Sequence, residues 1–208
     1  MMDGRVARGE QTRASVLLHA MGIASVEGLD GLSIGRLATE LAVSKSGVFA
    51  RFGSKEELQL ATIAAAREVF VDAVVRPALA GPPGLERLWR LCSGWITYSR
   101  DRIFPGGCFF ASVSAEYDAR PGRVRDAVAA ALAEWSALLR QAAGDALQLG
   151  QLVPAADARQ LAFELSALVT AANAASVLHN DDTAYDLATT GVLDRLRGLA
   201  TDPAALRR

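Results

Sequence analysis

The sequence predicts an all-α protein, and three observations carry that prediction. Apolar residues recur at three- and four-residue spacing along the chain, and no alternating strand pattern of useful length occurs. Glycine and proline clusters at 81–84, 104–107 and 120–122 cut the chain into helix-length pieces. Between residues 33 and 58, a capped helix, a tight turn and a second capped helix follow at helix-turn-helix spacing. The expected organisation is an N-terminal three-helix unit over 1–54 and a larger helical domain over 55–208.

Taken in order, the first helix carries Arg13 and ends near Glu27, and Arg5 and Arg8 precede it on an expected flexible arm. Ser33 is a suitable N-cap for a helix beginning at Ile34, because its hydroxyl can accept from an unpaired backbone N–H. Ile34, Leu37, Ala38 and Leu41 then form an apolar stripe, with Arg36, Thr39 and Glu40 facing water. Ala42-Val43-Ser44 supplies the turn, with Ala42 expected in ordinary helical space. Ser44 caps a helix running through Lys45 to about Arg51, anchored by Val48 and Phe52. Its outer face presents Lys45, Ser46, Gly47 and Arg51, and the small residues there let a backbone approach a groove edge.

Ser54 and the Glu56-Glu57 pair start a fourth helix that continues toward Ala80. Further helices are expected over 85–102, from Cys108 to about Tyr117, and over 123–149, the last passing Val128, Leu132, Trp135 and Leu139. The final two fall at about 155–179 and 183–200. The helix over 155–179 is apolar around most of its circumference and must be covered on more than one face. A second copy of the chain is the expected second cover.

At 208 residues, 51% hydrophobic and 22% charged, the chain is large enough for a DNA-binding unit and a packed core, and too apolar for disorder. No signal-peptide pattern and no uninterrupted apolar run long enough to span a bilayer is read, so a cytoplasmic location is expected. Cys92 and Cys108 fit a reducing compartment and are too few for a cysteine-rich metal site. The net charge of −1 gives no support to nucleic-acid binding, so that case rests on where charges stand. Lys45 and Lys55 are the only lysines among 22 basic residues, and both fall in the helix-turn-helix segment. Arg13 and the Lys45–Lys55 cluster are expected on one face, with Glu27 and Asp30 at the far end of the first helix.

Positions 37–58 resemble the signature of the tetracycline-repressor (TetR/AcrR) family: a Val-Ser turn, a Gly/Ser-containing recognition helix, an aromatic, Phe, and then Ser-Lys-Glu-Glu-Leu. Residues 13–28 resemble that family's first helix, so the likeness spans roughly 10 to 60. Three positions depart from it: Ala42 where Gly is usual, Phe49 where Tyr is usual, and Ala50 where His or another polar residue is frequent. The resemblance implies a DNA-binding unit followed by a helical ligand-binding and dimerisation domain. It also implies a fourth helix that links the two and alters the spacing of paired recognition helices.

On this reading Lys45, Ser46 and Gly47 are candidates for base-edge contact, and Ser33, Ser44, Phe49, Arg51 and Lys55 for phosphate contact and positioning. Trp89, Cys92, Trp95, Phe109, Phe110, Trp135 and Phe163 are candidates for lining an apolar effector cavity, each with core filling as its alternative. A homodimer interface is expected through the last two helices, at Leu161, Leu168, Ala172, Ala175, Leu187, Gly191 and Val192. Gly106-Gly107 is read as allowing a tight turn before the next helix, and Cys108, with no adjacent base, as an inert buried thiol. Glu164, Asn173 and His179 stand as polar positions on an otherwise apolar helix.

His19 and His179 have no neighbouring nucleophile, and no hydrolase or Walker pattern occurs, so no catalytic residue, metal or cofactor is expected. The expected function is a ligand-responsive transcriptional regulator, a repressor released from a palindromic operator by a small, mainly apolar effector. Two alternatives belong to other classes: an architectural or division-control DNA-binding protein without an inducer, and an enzyme with a vestigial helix-turn-helix.

Overall fold

A computed structural model of the chain describes residues 3–206, with side chains from residue 9 onward. The described residues form nine helices and no strand. These are α1 (Asp3–Glu27), α2 (Ile34–Glu40), α3 (Lys45–Phe52), α4, α5 (Leu85–Arg100), α6 (Phe109–Tyr117), α7 (Arg123–Gln148), α8 (Ala158–His179) and α9 (Thr183–Leu199). Helix α4 is α-helical over Lys55–Phe70, π-helical over Val71–Val75 and α-helical again over Arg76–Leu79. Short 3-10 turns lie at Leu29–Gly31 and Pro203–Ala205, and Leu152 and Ala200 form an isolated antiparallel bridge.

Side-chain caps set the start of four helices. Ser33 Oγ accepts from the Arg36 N–H at 3.1 Å, and Ser44 Oγ from the Gly47 N–H at 3.1 Å. Ser54 Oγ accepts from the Glu57 N–H at 3.1 Å. Asp157 accepts from the Arg159 and Gln160 N–H groups, so α8 begins at Ala158 and not at the expected 155. Helix α1 extends back to Asp3 where a flexible arm was expected at Arg5 and Arg8, whose side chains lie outside the described ones. The π turn in α4 has a local cause. Pro77 has no N–H to offer the Ala73 carbonyl and its ring crowds that oxygen, so the ladder widens one turn earlier, where the Arg76 N–H bonds to Val71 O.

Ala42 is a correction. Its φ is +52°, in the left-handed region, and not the ordinary helical space expected from its being alanine. A Cβ there costs about 1–2 kcal/mol relative to glycine.

The chain packs as two compact units, one of residues up to 69 with 104–130, the other of 70–103 with residues from 131 on. By packing, the division therefore does not fall at 54/55. In the first unit Val16, Ala20 and Ala24 of α1, Leu37 of α2, Val48 of α3 and Leu58 of α4 are buried together with Phe109 and Val113 of α6. Gly106 makes the α6 end of this core possible. Its N–H donates to Ser25 Oγ at 3.1 Å, and any Cβ at 106 would overlap the Ser25 carbonyl oxygen.

In the second unit, Phe70 meets Tyr98 and Trp135 edge-on at ring distances of 5.4 and 5.5 Å. Leu132, expected inside α7, is instead exposed. Helices α5, α8 and α9 pack on one another around a buried polar group, in which Ser99 Oγ lies 2.7 Å from both Asn173 Oδ1 and the Tyr185 hydroxyl. Helix α8 is long and apolar enough to cross a membrane by length and composition, although Arg159 and Glu164 interrupt its apolar run. Leu161, Leu165, Val169, Ala172 and Ser176 bury its inner face in this unit.

Candidate nucleic-acid interface and effector cleft

Helix α3 buries Val48 and Phe52 and leaves Lys45, Ser46, Phe49, Ala50 and Arg51 exposed. The Ser44 hydroxyl packs closely over Gly47, where a Cβ would sit 2.7 Å from Ser44 Oγ. Arg51 Nη1 donates to the Gly47 carbonyl at 2.7 Å and its Nε to the Gly9 carbonyl of α1 at 3.4 Å, while Arg13 stacks over the Phe52 ring at 5.4 Å. These ties hold α3 against α1 along one flank. Lys45, on the other flank, has no hydrogen-bond or ion-pair partner among the described residues.

Lys55 engages the loop that carries Asp30. Its Nζ donates to the Asp30 carbonyl at 2.6 Å and lies 3.8 Å from the Asp30 carboxylate. The expectation had separated Lys55 from Asp30, but α4 begins beside the loop that carries Asp30. That loop is the centre of a polar hub. Glu116 of α6 accepts from the Leu29 and Asp30 N–H groups at 2.7 and 2.8 Å. Buried Gln59 of α4 donates to Leu29 O at 2.9 Å and to the Tyr117 hydroxyl at 3.1 Å. Tyr117 and Arg120 both donate to the Asp30 carboxylate. The Arg120 guanidinium, foremost, holds the Asp30 carboxyl below its ordinary value, and burial pushes the Tyr117 phenol up to about 12. Sequence inspection missed this hub because Asp30 and its α6 partners are about ninety positions apart.

A second ion network engages Arg36, which reaches Glu27 and Glu40, while His19 bonds to Glu40. Hydrogen bonds from Arg36 hold both carboxyls below the usual range. Arg123 similarly takes Glu56 and Glu57. Among the described residues Lys45 and Arg51 of α3 have no carboxylate partner.

The residues expected to line an aromatic cavity belong to both units. Phe109 and Phe110 lie in the first unit, and Trp89, Cys92, Trp95 and Trp135 in the second. Cys92 is fully buried, and burial pushes its thiol up to about 12; Cys108 is pushed to about 11 by the same cause. Phe163 is 70% exposed on α8 and lines no interior space. The second unit instead carries a cleft of about 290 Å³ beside the π turn of α4. Val74, Pro77 and Ala78 of α4 face Gly94, Thr97 and Tyr98 of α5, with Arg90 and Asp101 at its rim.

Three of the residues expected at a dimer interface are interior in their own chain: Leu161, Ala172 and Val192 are buried. Gly191 packs within the chain, since a Cβ there would meet Leu168 at 3.3 Å. Ala175 is half-buried and Leu187 is 73% exposed. The outward stripe of α8 runs one helical position away, through Phe163, Ala167, Ala171, Ala174 and Leu178. Of the polar positions, Asn173 is buried against Ser99, Glu164 pairs with Arg195 of α9, and His179 is exposed in the last turn.

A short capped helix held open-faced against two others, in a chain that also folds a second helical unit, defines the class: a helical DNA-binding transcriptional regulator. The chain belongs to the TetR family. Residues 17–62 match the model of bacterial regulatory proteins of the tetR family, and residues 84–192 that of the tetracyclin repressor-like C-terminal domain. No curated relative matches the chain.

Solved structures share its fold. A TetR transcriptional regulator from Chloroflexus aurantiacus superposes with a TM-score of 0.85 at 24% identity, covering 93% of this chain and 98% of that one. A regulator from Saccharomonospora viridis in complex with choline gives 0.75 at 21% identity, covering 92% and 98%. AibR, in complex with isovaleryl coenzyme A and operator DNA, gives 0.63 at 21% identity, covering 76% and 84%.

Proposed function

We propose that this chain is a homodimeric, effector-responsive repressor whose two α3 helices enter successive major grooves of a palindromic operator. The observation that carries this reading is α3 itself: an exposed ridge of small and apolar residues with the unpaired Lys45 at its start. Functionally the chain divides into a DNA-binding part over 1–54 and an effector-binding and dimerising part over 55–208. Ser33, Ser44 and Gly47 set the geometry of α2 and α3, Arg51 stands nearest the phosphates, and Lys55 holds the hub.

The effector is small and mainly apolar and occupies the cleft beside Val74, Pro77 and Gly94. At about 290 Å³ the cleft is at the lower end of ordinary small-molecule sites. Support for effector control also comes from relatives of this fold that were solved with isovaleryl coenzyme A and with choline. By linkage, operator DNA weakens effector binding by the same factor by which effector weakens operator binding. A second copy is held through the outward faces of α8 and α9, and the protein works in the cytoplasm.

The test is selection of bound duplexes from genomic fragments by the purified chain, followed by titration of the enriched duplex. The reading expects a palindromic consensus, two chains per duplex and affinity that falls steeply with salt. Duplex binding that is absent, or indifferent to sequence, contradicts it.

A further inference from the structure

We infer that α3 reads thymine: the Phe49 ring and the Ala50 methyl pack on thymine 5-methyl groups in the operator's major groove, beside a guanine contacted by Lys45. This rests on the DNA-binding function proposed above and names what the recognition helix selects.

The exposed ridge of α3 limits what a groove can meet. At 100° per residue Lys45 and Phe49 share one side, Ser46 and Ala50 occupy the crest opposite Val48 and Phe52, and Gly47 and Arg51 form the other side. Arg51 is held by the Gly47 and Gly9 carbonyls, so that side faces the backbone of α1. The remaining four side chains contain one ammonium, one hydroxyl, one methyl and one benzene ring.

Phe49 is 56% exposed, and its ring carries no polar atom. It has no donor for a phosphate oxygen, so the phosphate-contact role expected for it is replaced by an apolar one. The major groove presents one apolar group, the thymine methyl, and Ala and Phe side chains are suited to it. Ala50, adjacent on the crest, adds a second small apolar surface at the same depth.

Lys45 supplies the polar half of the reading. It has no partner among the described residues, and its stem runs past Gly35 of α2, where a Cβ would lie 3.9 Å from Lys45 Cε. A free ammonium at this depth favours the paired acceptors O6 and N7 of guanine. The half-site therefore combines a guanine with one or two neighbouring thymines.

The experiment uses the full chain and the duplex enriched from a random double-stranded library. Each thymine of the half-site is replaced in turn by deoxyuridine, which removes only the methyl, and the guanines by 7-deazaguanine. We expect one or two thymines at which the parent binds roughly fourfold more weakly per lost methyl. Phe49→Ala should bind thymine and uracil duplexes alike at one of those positions, Phe49→Tyr should keep the difference, and Lys45→Ala should lose the 7-deazaguanine effect. A parent that ignores every uracil substitution overturns the inference while leaving operator binding intact. Phe49→Ala that weakens both duplexes while keeping their difference also overturns it, because the ring then contacts sugar. A library with no enriched sequence overturns the DNA-binding function beneath it as well.

Discussion

Helices α3 and α8 each bury one side and leave the other open, yet the open sides differ in kind. That of α3 is two turns long and mixes a cation, a hydroxyl and compact apolar groups, which suits a groove edged by phosphates and bases. That of α8 is six turns long and almost wholly apolar, with Phe163 and Leu178 exposed at 70% and 78%. An apolar surface of that extent beside exposed Leu187 of α9 is what a second protein surface covers. The inner faces differ as well. Hydrogen bonds and a guanidinium stack hold α3 on α1, whereas side-chain packing around the Ser99 group holds α8.

The largest effect should come from charging the α8 face. Phe163→Glu with Leu187→Glu is expected to yield a monomer with unchanged helical content, because two central apolar anchors cost about 2 kcal/mol or more each. Operator affinity should then fall by roughly a hundredfold or more. Sedimentation at micromolar concentration and circular dichroism read the outcome; a persistent dimer breaks the contrast between the two helices.

Next in size is Gly106→Val, which drives a side chain into the Ser25 backbone. It should destabilise the first unit by about 3 kcal/mol in urea unfolding. Arg51→Ala should weaken binding to all duplexes and lower the salt slope by roughly two units, one for each chain of the dimer, whereas Lys55→Ala should leave the slope unchanged, because that ammonium faces Asp30. Equal slopes for the two variants would return Lys55 to the DNA face. Ala42→Gly should raise stability by about 1 kcal/mol by relieving the left-handed residue in the turn, read as a higher urea midpoint.

The smallest effect is on pH. Asp30, Glu27 and Glu40 have folded pKa values below their unfolded ones. Their contribution is therefore full above about pH 5 and is lost as pH falls through the folded values. Thermal unfolding should move down in that acid window, and less so for Asp30→Asn.

Legibility in the sequence followed the range of the interaction. The caps at Ser33, Ser44 and Ser54 act within three residues, and each was readable from its neighbours. The helix order was readable too, because glycine and proline act where they stand. Ala42 was misjudged because alanine carries no mark of a positive φ; only the usual glycine at that position hinted at it. The π turn had a visible cause in Pro77 but no visible register. The contact of Lys55 with Asp30 was hidden for a different reason: the two residues are 25 positions apart and are brought together by tertiary packing. On α8 the apolar content was so even around the helix that composition alone did not fix which stripe faces inward. Phe163 was read as interior on that account.

The central claim is that the open side of α3 meets DNA as one of a pair. Its most direct test is fluorescence anisotropy of the enriched duplex titrated with the chain at several salt concentrations. The account predicts two chains per duplex and a linear fall of log affinity with log salt, flatter by about two units for Arg51→Ala, one per chain, while Lys45→Ala lowers affinity for the enriched sequence. Binding that is unaffected by salt, or identical in parent and both variants, would contradict it.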